Sequence, residues 1–170
     1  YFIYALALFI EYRANKSGKS KVLLAYYIVA TILITYACIV ALDYNDDNNW
    51  LYNIHYFISA LVFAYYFNGI LIKSLEKNFI RVLYALVIVN LFFTGIMQTN
   101  NFFNSFGVAF FFLCVVVSAF IYFYQILHYL SEVNVLRSFD LWLVTGYLLY
   151  FLGSFLVVLT YKYFTDKFVE

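Results

Sequence analysis

Val22-Leu23-Leu24-Ala25-Tyr26-Tyr27-Ile28-Val29-Ala30 is apolar at every position. A strand in a barrel would alternate polar and apolar side chains. A helix of a water-soluble domain would keep a polar face. This run has neither pattern, so it reads as part of a helix surrounded by apolar material. It sits in a longer stretch, 21–42, and a spanning helix needs roughly 20 such residues.

Working outward, similar runs recur between short polar breaks. The spacing predicts helices over 1–15, 21–42, 50–73, 77–98, 103–131 and 138–163. Fold class is therefore expected to be all-α: one polytopic transmembrane helix bundle spanning 1–170, with about six helices. Composition agrees. Apolar residues make up 66% of the 170 and charged residues 11%, against about 25% charged in ordinary soluble domains. Mean hydropathy is +0.87. A net charge of +1 gives no basic footprint for nucleic acid. Cys38 and Cys114 lie inside apolar runs and read as small buried hydrophobes, with no metal or cofactor expected. Proline is absent. Position 1 is not Met and the first run starts at once, so the chain is expected to begin inside a longer protein, a cleaved signal peptide being the alternative.

The breaks carry orientation. Arg13, Lys16, Lys19, Lys21, Lys73, Lys77, Arg81 and Arg137 are eight of the ten basic residues. All fall on the first, third and fifth breaks. The second break holds Asp43, Asp46 and Asp47, and the fourth is uncharged. The positive-inside rule then puts loops near 16, 77 and 135 in the cytoplasm and loops near 46 and 101 in the periplasm of a bacterial inner membrane. Residues 1 and 170 would both lie outside if the sixth helix is the last. Trp50 and Trp142 suit the two interfacial belts.

No catalytic motif is present: no Gly-rich phosphate loop, HExxH, paired Cys motif or Gly-x-Ser-x-Gly. His55 and His128 fall near opposite faces and cannot share a metal. Ionisable residues keep to helix ends, which weighs against a proton-driven pump.

Uncharged polar residues are more informative, because they recur at helical spacing. Tyr27, Thr31, Thr35 and Cys38 share a face. So do His55 and Ser59; Asn90, Thr94 and Gln98; Ser118, Tyr122, Gln125 and Tyr129; and Tyr147, Tyr150 and Ser154. Polar groups avoid lipid, so these stripes are expected to face the bundle interior. Depth gathers Thr31, Thr35, His55, Ser59, Asn90, Thr94 and Ser154 in the outer half, with Tyr150 near the midplane. Together they form a candidate ligand-binding pocket opening outward. Interhelical hydrogen bonding is the plainer use of each residue. Ala37/Ala41, Ala60/Ala64 and Gly146/Gly153 are expected close-packing seams.

Asn-Asn-Trp-Leu-Tyr-Asn-Ile-His-Tyr-Phe (48–57), Phe-Tyr-Gln-Ile-Leu (123–127) and Asp-Leu-Trp-Leu-Val-Thr-Gly-Tyr-Leu-Leu-Tyr-Phe-Leu-Gly-Ser-Phe (140–155) resemble a family of small multi-pass membrane proteins of Bacteroidota. Their genes often lie beside sensor histidine kinases. The resemblance covers roughly 48–160. It implies a seventh helix after residue 170, a cytoplasmic C-terminus and a histidine kinase as partner, and it supplies no catalytic residues.

The expected function is a non-enzymatic integral membrane protein: a sensing or accessory subunit coupled to a membrane or signalling partner and in contact with membrane lipids. The alternatives are a transporter or channel for a small neutral solute, which needs a continuous polar path, a purely structural subunit of a larger complex, and a membrane-embedded enzyme.

Overall fold

The computed structural model describes residues 9, 18–43, 49–94, 104–129 and 138–168. Five helices follow one another: α1 (Gly18–Asp43), α2 (Asn49–Ile70), α3 (Ser74–Phe92), α4 (Ser105–Tyr129) and α5 (Phe139–Phe168). No strand occurs among the described residues. The fold is all-α, as expected. These helices correspond to the second to sixth expected runs. The first, 1–15, lies outside the described residues except for Phe9, and so do the breaks near 16, 46, 101 and 135.

Three helices contain segments long and apolar enough to cross a bilayer: Lys21–Val40, Ser105–His128 and Phe139–Thr160. Six such runs were expected; among the described residues these three meet the standard of length and apolarity. α3 has 19 residues and begins with Glu76, Lys77 and Arg81 in its first turns, so its uncharged part is short. α2 is long enough, but Asn49, Asn53, His55, Asn68 and four tyrosines dilute its hydropathy. α5, at 30 residues, is about 45 Å long at 1.5 Å per residue, well beyond the ~30 Å hydrocarbon core.

Helix ends also moved. The break between α2 and α3 is only Leu71–Lys73. Lys73 takes extended angles, φ −82° and ψ 142°, and starts α3 without a side-chain cap. Lys77 and Arg81, which the expected helix 77–98 already contained, lie within its first two turns. A three-residue connection makes α2 and α3 an antiparallel hairpin.

α4 is the centre. It packs most extensively on α5 and also meets α3 and α2. α1 packs on α2. The face of α4 that meets these neighbours carries Gly107, Ala109, Cys114, Ser118 and Ala119, all buried. Small residues let backbones approach without the hydrophobic driving force that water would supply. Ala37 and Ala60 are buried as expected. Gly153 is exposed, and nothing lies within 4 Å of where its Cβ would be. The Gly146/Gly153 seam does not form between described residues.

Aromatic rings fill the gaps the small residues leave. Phe63 meets Tyr147 at 4.8 Å between centroids, Phe151 at 5.3 Å and Phe111 at 5.8 Å. Phe112 meets Phe151 at 4.9 Å. Most of these contacts are edge-to-face, the arrangement ring quadrupoles favour. α2, α4 and α5 thus interlock around Phe63. Replacing Phe63 with Ala is expected to cost about 3 kcal/mol or more, read as earlier unfolding in detergent. Leu127→Ala, at a site 82% exposed, is expected to change little.

Candidate functional site

The polar residues form three groups, each between a different set of helices. The first lies between α1 and α2. Ser59 Oγ donates to the carbonyl of His55 at 2.6 Å. Its single hydrogen is then committed, so it accepts from the Tyr26 hydroxyl, at 2.7 Å. The Tyr26 ring stacks on His55 at 6.2 Å and 12°, and Tyr56 packs on the other side of the imidazole at 5.2 Å. Tyr26, His55 and Ser59 are all buried. Tyr150 of α5 lies within electrostatic reach of Tyr26 and Tyr56, although its own side chain is exposed.

The second group lies where α3 ends and α4 begins. α3 widens into a π turn at Phe93–Thr94. Thr94 Oγ1 donates to the Asn90 carbonyl at 2.6 Å, a side-chain bond of the kind that competes with the helical ladder. Asn104 Nδ2 donates to Thr94 Oγ1, and Asn104 Oδ1 accepts from the Gly107 amide at 2.9 Å. Asn104 therefore caps α4 and ties it to α3. Asn90 Oδ1 would lie 2.7 Å from a Cβ added to Gly107. A side chain at 107 would force the Asn104 and Asn90 side chains to shift.

The third group was not expected as a site. It lies at the end where α2 and α4 finish and α3 and α5 begin. Gln125 is 1% exposed. Its Oε1 accepts from the backbone amide of Ile72, at 2.7 Å, in the middle of the α2–α3 turn. Its Nε2 donates to Glu76 Oε2 on the first turn of α3. Beside it, the Tyr66 hydroxyl donates to Asp140 Oδ1 at 2.8 Å. At the outer edge of the hairpin, Arg81 donates from Nε to Asn68 Oδ1 at 2.8 Å and from Nη1 to Asn78 Oδ1 at 3.1 Å.

The expected outer pocket is thus divided. The structure brings His55 and Ser59 together, with Tyr150 nearby. It brings Asn90 and Thr94 together in a separate place. Thr31 and Thr35 return their hydroxyls to the carbonyls of Tyr27 and Thr31 in their own helix, at 2.7 and 2.8 Å. Ser154 is half-buried on α5. The expectation that every polar stripe faces inward needs correction: Thr35, Cys38, Asn90 and Tyr150 are exposed. A hydroxyl that bonds its own helix carries its satisfaction with it, so Thr35 does not need an interior position. The α4 stripe did turn inward, with Ser118, Tyr122 and Gln125 all buried.

Sequence reasoning missed Tyr26, Asn104, Glu76, Tyr66 and Asp140. Gln125 carried a usable signal, being an amide three residues before a helix-end His on the most apolar helix. Among the described residues no three His, Cys, Asp or Glu side chains stand close enough to hold a metal ion. The chemistry on view is hydrogen bonding.

Two outcomes test this geometry. Gln125→Leu leaves the Ile72 amide and Glu76 without their partner. It is expected to destabilise by about 1–3 kcal/mol per orphaned buried group, measured by unfolding in detergent. Gly107→Ala is expected to cost about 1–3 kcal/mol by overpacking, and Asn90→Ala in the same chain should restore part of that loss.

Comparison with protein-family models, with curated proteins and with solved structures finds no match to this chain.

Proposed function

We propose that this chain is an integral membrane protein of the bacterial cytoplasmic membrane, acting without catalysis as a sensing or accessory subunit for a membrane-embedded partner. The observation that carries this reading is Asn90. Its amide is exposed on α3, sixteen positions after Ser74 on a helix whose neighbouring exposed residues are Leu86, Val89 and Phe93. Its Oδ1 lies beside Gly107 and Asn104 at the α3–α4 corner, and an amide left partly exposed on an apolar helix face with hydrogen-bonding capacity to fill is costly. A partner helix laid along that face would satisfy it. The short α2–α3 turn leaves no room for an output domain there, which supports output through helix faces. A histidine kinase is the partner class that the resemblance in 48–160 favours.

In this reading α1 to α5 all cross the bilayer, with the run at 1–15 as a sixth crossing. α2 and α3 cross as a hairpin sheltered between α1 and α4. The end bearing Lys21, Lys73, Lys77 and Arg81 faces the cytoplasm. The aromatic packing of Phe63, Phe67, Phe111 and Tyr147, all buried to within 1%, counts against a continuous polar path for a solute. It favours the subunit reading over the transporter one.

Two measurements test the proposal. Asn90→Leu is expected to weaken assembly with the partner recovered from native membranes about threefold, the scale of one interhelical hydrogen bond of ~0.6 kcal/mol. Recovery of the wild-type chain alone and monodisperse from native membranes would remove the subunit reading. For orientation, Leu75→Cys in a chain with Cys38 and Cys114 replaced should react from outside intact cells only with membrane-permeant reagents. Reaction with an impermeant reagent would reverse the proposed topology.

A further inference from the structure

We infer that the groove between the end of α2 and the start of α3 binds the phosphate of an anionic phospholipid headgroup, with Arg81 as its main donor and Lys77 and Lys73 beside it. The inference rests on the membrane-spanning reading and adds to it a defined lipid site.

Lys77 and Arg81 are four apart on α3, the spacing that makes side chains neighbours on a helix surface, and Lys73 stands just before the helix starts. Arg81 sits eight residues above Lys73, about 12 Å along the axis. A guanidinium at that height in a bilayer must reach back toward the headgroups. Its contacts show it doing so. Nε donates to Asn68 on α2, at 2.8 Å, and Nη1 donates to Asn78, at 3.1 Å. Both acceptors lie nearer the hairpin turn than Arg81 itself. They hold the fork in one orientation.

Charge is the decisive point. Both acceptors are neutral amides, so neither cancels the positive charge. Neither carboxylate whose side chain is described at this end is bonded to Arg81: Glu76 accepts from the Gln125 amide, and Asp140 from the Tyr66 hydroxyl. Asn68 takes the Nε hydrogen and Asn78 one on Nη1, and Nη2 is left for a further acceptor. A planar, permanently charged group held in a fixed orientation with Nη2 available suits a phosphate oxygen. Arg81 and Asn78 are exposed, and so are Ile72, Leu75, Phe79 and Val82 around them. These apolar side chains are where acyl chains attached to such a phosphate would lie. A phosphate with two acyl chains satisfies the basic side chains and the apolar surround at once. Inorganic phosphate satisfies only the first.

The experiment uses the full chain in detergent with added phosphatidylglycerol, phosphatidylcholine or inorganic phosphate. Retained lipid is counted by native mass spectrometry and stability is followed by thermal unfolding. The wild type is expected to retain phosphatidylglycerol in preference to phosphatidylcholine and to unfold at higher temperature with it. Arg81→Gln should lower phosphatidylglycerol retention about tenfold, the loss expected for one charge-assisted hydrogen bond. Lys77→Gln, which leaves the Asn68 and Asn78 contacts intact, should lower it by a smaller factor and keeps the test available if Arg81→Gln does not fold. Equal retention by wild type and both variants overturns the site. Equal stabilisation by inorganic phosphate overturns the lipid assignment. Membranes from expressing cells are washed with alkaline carbonate in parallel. If the chain stays in the pellet while the lipid preference is absent, only the site fails. If the wash releases the chain, the membrane-spanning reading fails with it.

Discussion

Gln125 is the residue on which one end of the bundle depends, the end where α2 and α4 finish. A three-residue link between two helices leaves backbone amides that no helix can satisfy. One of them, at Ile72, is met by the Gln125 carbonyl at 2.7 Å. The other half of the same amide reaches Glu76. One side chain of α4 therefore closes the α2–α3 turn and steadies the first turn of α3. In water a solvent molecule could meet that need. Here the partner is a protein side chain that is 1% exposed. The adjacent Tyr66–Asp140 bond ties α2 to the start of α5. The two contacts together fix which ends of four helices lie side by side.

The rest of the architecture follows from that fixed end. With α2 and α4 held together there, the rings above it interdigitate: Phe63, Phe111, Tyr147 and Phe151 close around one another. Small residues on α4 permit the approach and large rings on α2 and α5 use the space. Polar side chains occur above the rings as well, but in two separate settings. The Tyr26–Ser59–His55 chain belongs to the α1–α2 interface. The Asn90–Thr94–Asn104 group belongs to the α3–α4 corner. Each does the work of an interhelical clamp, which explains why residues that share a depth do not share a cavity.

Much of the fold was legible in the sequence, and the reason is physical. Runs such as 22–30 exclude strands and solvent-facing helices at once, so the helical class follows from composition and periodicity. Helix order and the grouping of basic residues at one end follow from the short breaks. Helix ends were less legible. The run expected over 77–98 starts three residues earlier, at Ser74, because a first helical turn accepts charge. The site was legible only in part. Spacing marks which residues share a helix face, and it found Ser118, Tyr122 and Gln125 as an inward stripe. It does not give the rotation of that face relative to the neighbours. Thr31 and Thr35 bond their own backbone, so their stripe carries no information about what it faces. Pairs such as Gln125 with Ile72, or Tyr66 with Asp140, are separated by 53 and 74 positions, and no local pattern announces them.

The central claim is that a buried amide of α4 caps the α2–α3 turn. Hydrogen exchange at the Ile72 backbone amide, in the full chain held in a lipid nanodisc, tests it most directly. The account predicts slow exchange at Ile72, comparable to amides inside α2, even though its side chain is exposed at the turn. Exchange as fast as that of an open three-residue loop would contradict it.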